Sequence, residues 1–268
     1  MMHLRRIAAI LLRQFYLIRG SPPRLLPIFV WAGIDIVLWG FITRYLNAVT
    51  PAGLNFVPIL LGAVLLWDFF TRVMYGATTT FLEDVWSRNF LNLFATPLSI
   101  TEYLAGLVIS SIVTSAIGLG VMFILATVVF GLSFFAYGLL LVPYLLVLFM
   151  SGIALGVLAC GIVLRYGPAA EWFVWPIPAV LSPFAAVFYP LAVLPGWMQY
   201  LAHALPPSYV FESMRSILAG RPASASGLAL GFGLDLLYIL LASWYFTRIY
   251  RYAIRTGLIA RYSAETAS

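Results

Sequence analysis

Four ionisable side chains stand inside otherwise apolar stretches: Asp35, Asp68, Arg72 and Asp235. A charge within a membrane-length apolar run is costly, so it marks an ion pair, a substrate path or a proton relay. Asp68 and Arg72 are four residues apart and can pair on one helix face. Asp35 admits two readings, structural or pathway-lining, and Asp35, Asp68 and Asp235 together could serve proton coupling. Classical catalysis finds little support. His3 and His203 are far apart in sequence with no Cys or carboxylate cluster beside them, so no metal site is expected. Cys160 is the single cysteine, forms no intrachain disulfide, and reads as a small packing residue. No nucleophile stands with a base, and Ser110, Ser111 and Ser115 read as helix-packing residues. All fifteen basic residues are arginine. Without lysine the chain cannot contain the Gly-x-x-x-x-Gly-Lys-Ser/Thr phosphate loop, so it carries no cofactor of that kind itself.

Two further constellations could bind rather than react. Between Thr80 and Pro97, the residues Trp86, Phe90, Leu93 and Phe94 fall on one helical face, and Glu83, Asp84 and Arg88 supply charge. Thr80 with Glu83, and Ser99 with Glu102, have the spacing at which a hydroxyl caps a helix and a glutamate reaches back to the cap. The segment 80–97 is expected to be a short amphipathic cytoplasmic helix. It either rests on the membrane or docks a partner. The second constellation runs from Pro190 to Arg221. It is too apolar for an aqueous loop, and its prolines forbid one straight helix. Two short helices folded back into the outer leaflet are expected, with Glu212 and Arg215, three apart, able to pair. Phe184, Phe188, Tyr189 and Trp197 lie near it. They could anchor at the interface or line a pathway.

The elements that must position these residues are membrane helices. Hydrophobic residues make up 63% of the 268-residue chain and charged residues 9%. A bilayer core needs about 20 apolar residues per helix. Six stretches qualify: roughly 27–46, 56–75, 103–130, 137–164, a proline-broken fifth from Glu171, and 228–249. The expected fold is an all-α integral membrane domain over residues 1–268. Ahead of the spans, Leu4, Ile7, Leu11, Phe15 and Ile18 recur at helical spacing, with Arg5, Arg6 and Arg13 on the other side. This reads as an amphipathic helix over 1–20 lying in the interface, ended at Ser21-Pro22-Pro23. Gly152 and Gly156 permit close helix contact, inside the chain or across a dimer. With six spans both termini share one side, and twelve arginines against three place that side in the cytoplasm. The net charge of +6 is thus accounted for at span ends beside anionic lipid, without nucleic acid.

The order of these parts resembles the membrane permease of type-2 ABC exporters: an interfacial helix, two spans, an amphipathic helix ending near Ala95-Thr96-Pro97, then Glu102, two spans, a broken fifth span, Leu205-Pro206-Pro207 with Glu212 and Arg215, and a last span. The resemblance implies a second permease subunit, identical in the simplest case, and two cytoplasmic ATP-binding subunits that carry ATP and magnesium. It implies export of a lipid, a lipid-linked glycan or a hydrophobic compound across a bacterial inner membrane. Residues 83–97 would be the main coupling helix, with docking through Glu83, Asp84, Trp86, Arg88, Phe90 and Leu93. Arg165 to Glu171 would be a second contact. The outer segment 190–220 would form re-entrant helices that close the pathway, and the residue reading adds Asp35, Phe184, Phe188, Tyr189, Trp197, Glu212 and Arg215 as candidate pathway or gate residues. The competing readings are an ion-coupled carrier, against which no inverted repeat is visible, and a membrane-embedded lipid-modifying enzyme, which would need convergent acid and base groups.

Overall fold

The computed structural model describes residues 2–50, 56–87, 92–93, 96–133 and 137–258, and every regular element among them is helical. Helix α1 (Met2–Arg19) turns at Gly20-Ser21 into α2 (Pro22–Val49). Pro22 and Pro23 occupy the first turn of α2, where the missing N–H groups would have no helical partner anyway. Helix α3 (Val57–Trp86) opens on a π-helical turn, Val57–Leu61. It is followed by α4 (Ile100–Phe130) and α5 (Leu141–Tyr166), the latter preceded by one 3-10 turn. Four shorter helices follow: α6 (Glu171–Val174), α7 (Ile177–Phe184), α8 (Gly196–His203) and α9 (Pro206–Leu218). The last helix is α10 (Ala225–Arg255).

Among the described residues, four helices are long and apolar enough to cross a membrane: Val57–Trp86, Ile100–Phe130, Gly138–Tyr166 and Ala225–Arg255. The six expected spans therefore need restating. The first lies within α2, a helix of 28 residues. The fifth is no single helix: it consists of pieces of four and eight residues, α6 and α7. Pro176 and Pro178 stand at the start of α7 and Pro183 inside it, and one continuous helix through residues 171–184 would lack a backbone donor at each. The chain then reverses through Ala186, a buried alanine in the left-handed region at φ 52°. That conformation costs a non-glycine residue about 1 kcal/mol.

The helices pack in the order α2–α4–α3–α5–α10, with α9 against α10 and α5. The inner pair is distinguished by burial: the most apolar windows of α3 and α5 are 61% and 67% buried, those of α4 and α10 only 28% and 22%. Small residues set the spacing of that pair. A Cβ at Gly152 of α5 would lie 2.8 Å from Cβ of Val73 and 2.9 Å from the carbonyl oxygen of Phe70, both on α3. At Gly156 it would lie 3.0 Å from the carbonyl oxygen of Met74. The Gly152–Gly156 motif is therefore spent inside the chain. On the other side of α3, Ser111 of α4 donates to the Val73 carbonyl at 2.8 Å, an interhelical bond that small polar residues make in lipid-facing bundles.

One expected helix start is overturned. Thr80 does not cap a new helix; it lies within α3, which continues to Trp86. Thr78, Thr79 and Thr80 donate instead to the carbonyls of Met74, Tyr75 and Gly76 at 2.9, 2.7 and 2.9 Å. A threonine hydroxyl can satisfy itself one turn back inside a helix, so the capping spacing alone does not interrupt the ladder. The second capping box is formed as expected: Ser99 Oγ accepts from the Glu102 N–H, and Glu102 accepts from the Ser99 N–H at 2.8 Å.

Candidate functional site

The first candidate site is the end of the bundle where α1 lies across α3 and α4. Ile10 and Gln14 form the buried face of α1, and Gly106 of α4 lets it approach: a Cβ there would meet Ile10 at 2.6 Å. Arg6 and Arg13 flank this face and turn towards the bundle, each with only 25% of its side chain exposed. Arg13 grips the buried Asp84 of α3 through both terminal nitrogens, Nη1 to Oδ2 at 3.0 Å and Nη2 to Oδ1. Tyr103 of α4 donates its hydroxyl to the same Oδ2 at 2.8 Å. Burial works against the charged guanidinium of Arg13, but the hydrogen bond and charge of Asp84 more than offset it and its pKa rises. Two turns earlier on α1, Arg6 contacts both oxygens of Glu102 at 3.4 Å, and His3 Nδ1 contacts Glu102 Oε1. Two charge clusters thus pin α1 to α3 and α4. Leu4, Leu12, Phe15 and Tyr16 remain exposed on its other side.

This geometry redistributes the residues expected to dock a partner. Asp84 is not offered to the surface: it is 1% exposed and holds Arg13 and Tyr103. Trp86 is half exposed, while Glu83 and Leu93 are partly buried. Arg88 and Phe90 lie outside the described residues, as does Phe94.

Within the apolar part of the bundle, Arg72 and Asp68 of α3 form the expected ion pair. Asp35 of α2 is close enough to Arg72 to be attracted by it. The aliphatic part of Arg72 lies against Gly118 of α4, where a Cβ would come within 3.3 Å of Cδ. Asp235 of α10 is elsewhere, accepting from Ser151 of α5 at 2.6 Å.

At the opposite end from α1, Glu212 of α9 organises the segment after α7. Its Oε1 accepts from the Leu191 N–H at 2.7 Å and from Arg215 Nη2 at 2.9 Å. Arg215 Nη1 donates to the Val187 carbonyl at 3.2 Å, so the pair ties α9 to both sides of the turn at Tyr189-Pro190. Phe188 stacks on Trp39 of α2, centroids 5.1 Å apart and planes 12° from parallel. The Tyr189 hydroxyl donates to the Pro183 carbonyl at 2.7 Å. Phe184 meets Trp197 of α8 edge to face at 6.2 Å, and Trp197 is otherwise exposed. Glu212→Ala should remove two of these bonds and leave Arg215, 12% exposed, without its counter-charge. Amide hydrogen exchange over residues 187–194 should then speed up by about tenfold or more, the value of one charged hydrogen bond. Unchanged protection would mean that packing alone holds the turn.

Sequence reasoning placed Asp68 with Arg72 and Glu212 with Arg215 because those pairs are local. It missed Arg13–Asp84–Tyr103, Arg6–Glu102 and Ser151–Asp235, whose members are 19 to 96 residues apart. One signal was available: an arginine that interrupts an apolar helical run, as Arg13 does, needs a partner or water. With this geometry in place, residues 5–219 match the family described as ABC-2 type transporter. No curated protein matches the chain.

Proposed function

The chain belongs to the ABC-2 type transporter family, and from that premise we propose that it is the permease of an ATP-driven exporter. As a member it is a multi-pass membrane protein and a transporter subunit, in a family that normally works with an ATP-binding subunit. Family membership displaces the carrier and enzyme readings. The finer reading is that two such chains, identical in the simplest case, join two ATPase subunits that bind ATP and magnesium. The cargo is a lipid, a lipid-linked glycan or another hydrophobic compound, moved outward across a bacterial inner membrane.

The match over residues 5–219 carries this reading. The distribution of arginine supports its orientation. Arg5, Arg6, Arg13, Arg19, Arg165, Arg248, Arg251 and Arg255 lie on the elements at the α1 end, and Arg44, Arg215 and Arg221 on those at the other. The positive-inside bias then turns the α1 end, with both chain termini, to the cytoplasm. In that orientation the exposed apolar side of α1 rests on the inner membrane surface. The end of α3 and the residues after it, Glu83, Trp86, Arg88, Phe90 and Leu93, meet the ATPase, with Asp84 holding that surface from behind. Residues 165–171 make a second contact. The segment 190–221 covers the outer side and gates the path, with α8 and α9 as its two short helices.

The test is co-purification followed by an uncoupling variant. The chain should isolate with an ATPase subunit, and the double replacement Phe90→Asp and Leu93→Asp should abolish permease-dependent stimulation of ATP hydrolysis while the protein still inserts. An ATPase that co-purifies and is stimulated normally after that change would exclude the 83–97 surface. A chain that never isolates with an ATPase would remove the exporter reading.

A further inference from the structure

Among the described residues four buried side-chain atoms lack a hydrogen-bond partner, Ser115 Oγ, Glu171 Oε2, Arg215 Nε and Asp235 Oδ2, and of these residues Asp235 lines a cavity. Asp235 is fully buried, and Ser151 satisfies its Oδ1. Its other oxygen, Oδ2, has no hydrogen-bond partner in the protein. No ion pair among the described residues reaches it. The neighbouring Tyr238 is unavailable, because its hydroxyl donates to the Ala204 carbonyl at 2.6 Å. Buried polar atoms are almost always paired, and one that is not needs an explanation.

Asp235 stands in the wall of a cavity of about 440 Å³ between α3, α5, α7, α10 and the first turn of α9. That volume lies in the range of small-molecule sites, about 300–1,000 Å³. Apart from Ser151 and Asp235 the lining is almost wholly apolar, with Trp67, Leu155 and Leu158 on the inner side. Leu241 and Trp244, also in the lining, are 51% and 59% exposed on the outward face of α10. The cavity therefore opens sideways through the apolar flank of the bundle rather than at either end. A molecule dissolved in the membrane reaches such a mouth; one dissolved in water does not.

We propose that this cavity binds a single-chain amphiphile with a primary ammonium head, which pairs with Asp235, and an apolar tail, which lies along Leu155 and Leu158 and leaves past Leu241 and Trp244. An ammonium supplies both things the buried carboxylate lacks, a donor to Oδ2 and a compensating charge. The carboxylate is sealed behind the apolar lining, so the entering head displaces side chains rather than bulk water. The site lies within one chain and does not rest on the transport reading.

The test uses the full chain in phosphatidylcholine nanodiscs and a dodecylamine carrying a photoreactive diazirine at the tail. Labelling of residues 151–158 and 241–245 should be saturable and should be displaced by plain dodecylamine. The matching dodecanoate and dodecanol probes should give no saturable labelling of residues 151–158. Asp235→Asn should weaken saturable labelling by about tenfold or more, as expected for loss of a charge-assisted bond. Leu158→Trp, which fills the cavity and keeps the carboxylate, should abolish it. Loss in both variants, each with an unfolding midpoint near that of the parent, supports the site. Retention in either variant overturns it. So does labelling that rises linearly with probe, or that is the same for amine, acid and alcohol; in those cases Oδ2 is satisfied by water alone.

Discussion

Replacing Asp84 with alanine should destabilise the isolated permease by about 3 kcal/mol, because removing one member of a buried ion pair strands the other. The stranded groups are the Arg13 guanidinium, a quarter exposed, and the fully buried Tyr103 hydroxyl. Three bonds end on the two oxygens of Asp84, and they join three helices, α1, α3 and α4. A cycle with Arg13→Ala should recover part of the loss, since the double variant buries no unpaired charge. The coupling should be about 1.5 kcal/mol or more, the scale for residues sharing one network. Asp84→Asn should fall between, keeping acceptors and losing charge. The measurement is unfolding of the purified chain in detergent, without any partner, with protease cleavage in α1 as a local readout. This separates two roles. If Asp84→Ala leaves the unfolding midpoint and α1 protection unchanged, the carboxylate is not a clamp and is free to meet a partner.

Gly152→Val should be as damaging for a steric reason. The added Cβ would lie 2.8 Å from Cβ of Val73 and 2.9 Å from a backbone oxygen, that of Phe70. Backbone cannot rotate away, so α3 and α5 must separate. Overpacking of a tight contact costs about 1–3 kcal/mol, and the branched side chain puts this variant near the top of that range. The contact sits in the most buried pair of helices, so the monomer itself should unfold earlier or fail to insert. Gly233→Ala in α10 is the control, with nothing within 4 Å of the new methyl; its midpoint should not fall. A Gly152→Val chain that keeps its unfolding midpoint but loses self-association would move the glycine to an interface between copies.

Much of the local structure was legible in the residues. The Ser99–Glu102 capping box, the Asp68–Arg72 and Glu212–Arg215 pairs, and the break after Glu171 all depend on groups within a few positions of one another. Backbone geometry alone brings such groups together. Thr80 shows the limit. Its spacing to Glu83 is that of a helix start, but a hydroxyl has an equally good acceptor one turn back, and the helix runs through. Periodicity gave α1 an apolar stripe but did not show which of its residues would meet the bundle. Leu4 and Phe15 are exposed, while Arg13 turns to the bundle. An apolar stripe has two solvents to choose between in a membrane protein, lipid and protein, and hydrophobicity does not distinguish them.

By itself, then, the sequence determined that this is an all-helical membrane chain, that prolines break it after Glu171, and how arginine is distributed along it. Those properties follow from apolar length, proline and charge, each acting locally. The tertiary structure alone decided that Asp84 faces Arg13 and Tyr103, that Gly152 and Gly156 serve an internal contact, and that Asp235 meets Ser151 beside a cavity. A carboxylate in a membrane helix must find a donor, but which donor depends on how distant helices are rotated against one another. That rotation is set by the close packing of small residues between helices, which no single helix specifies.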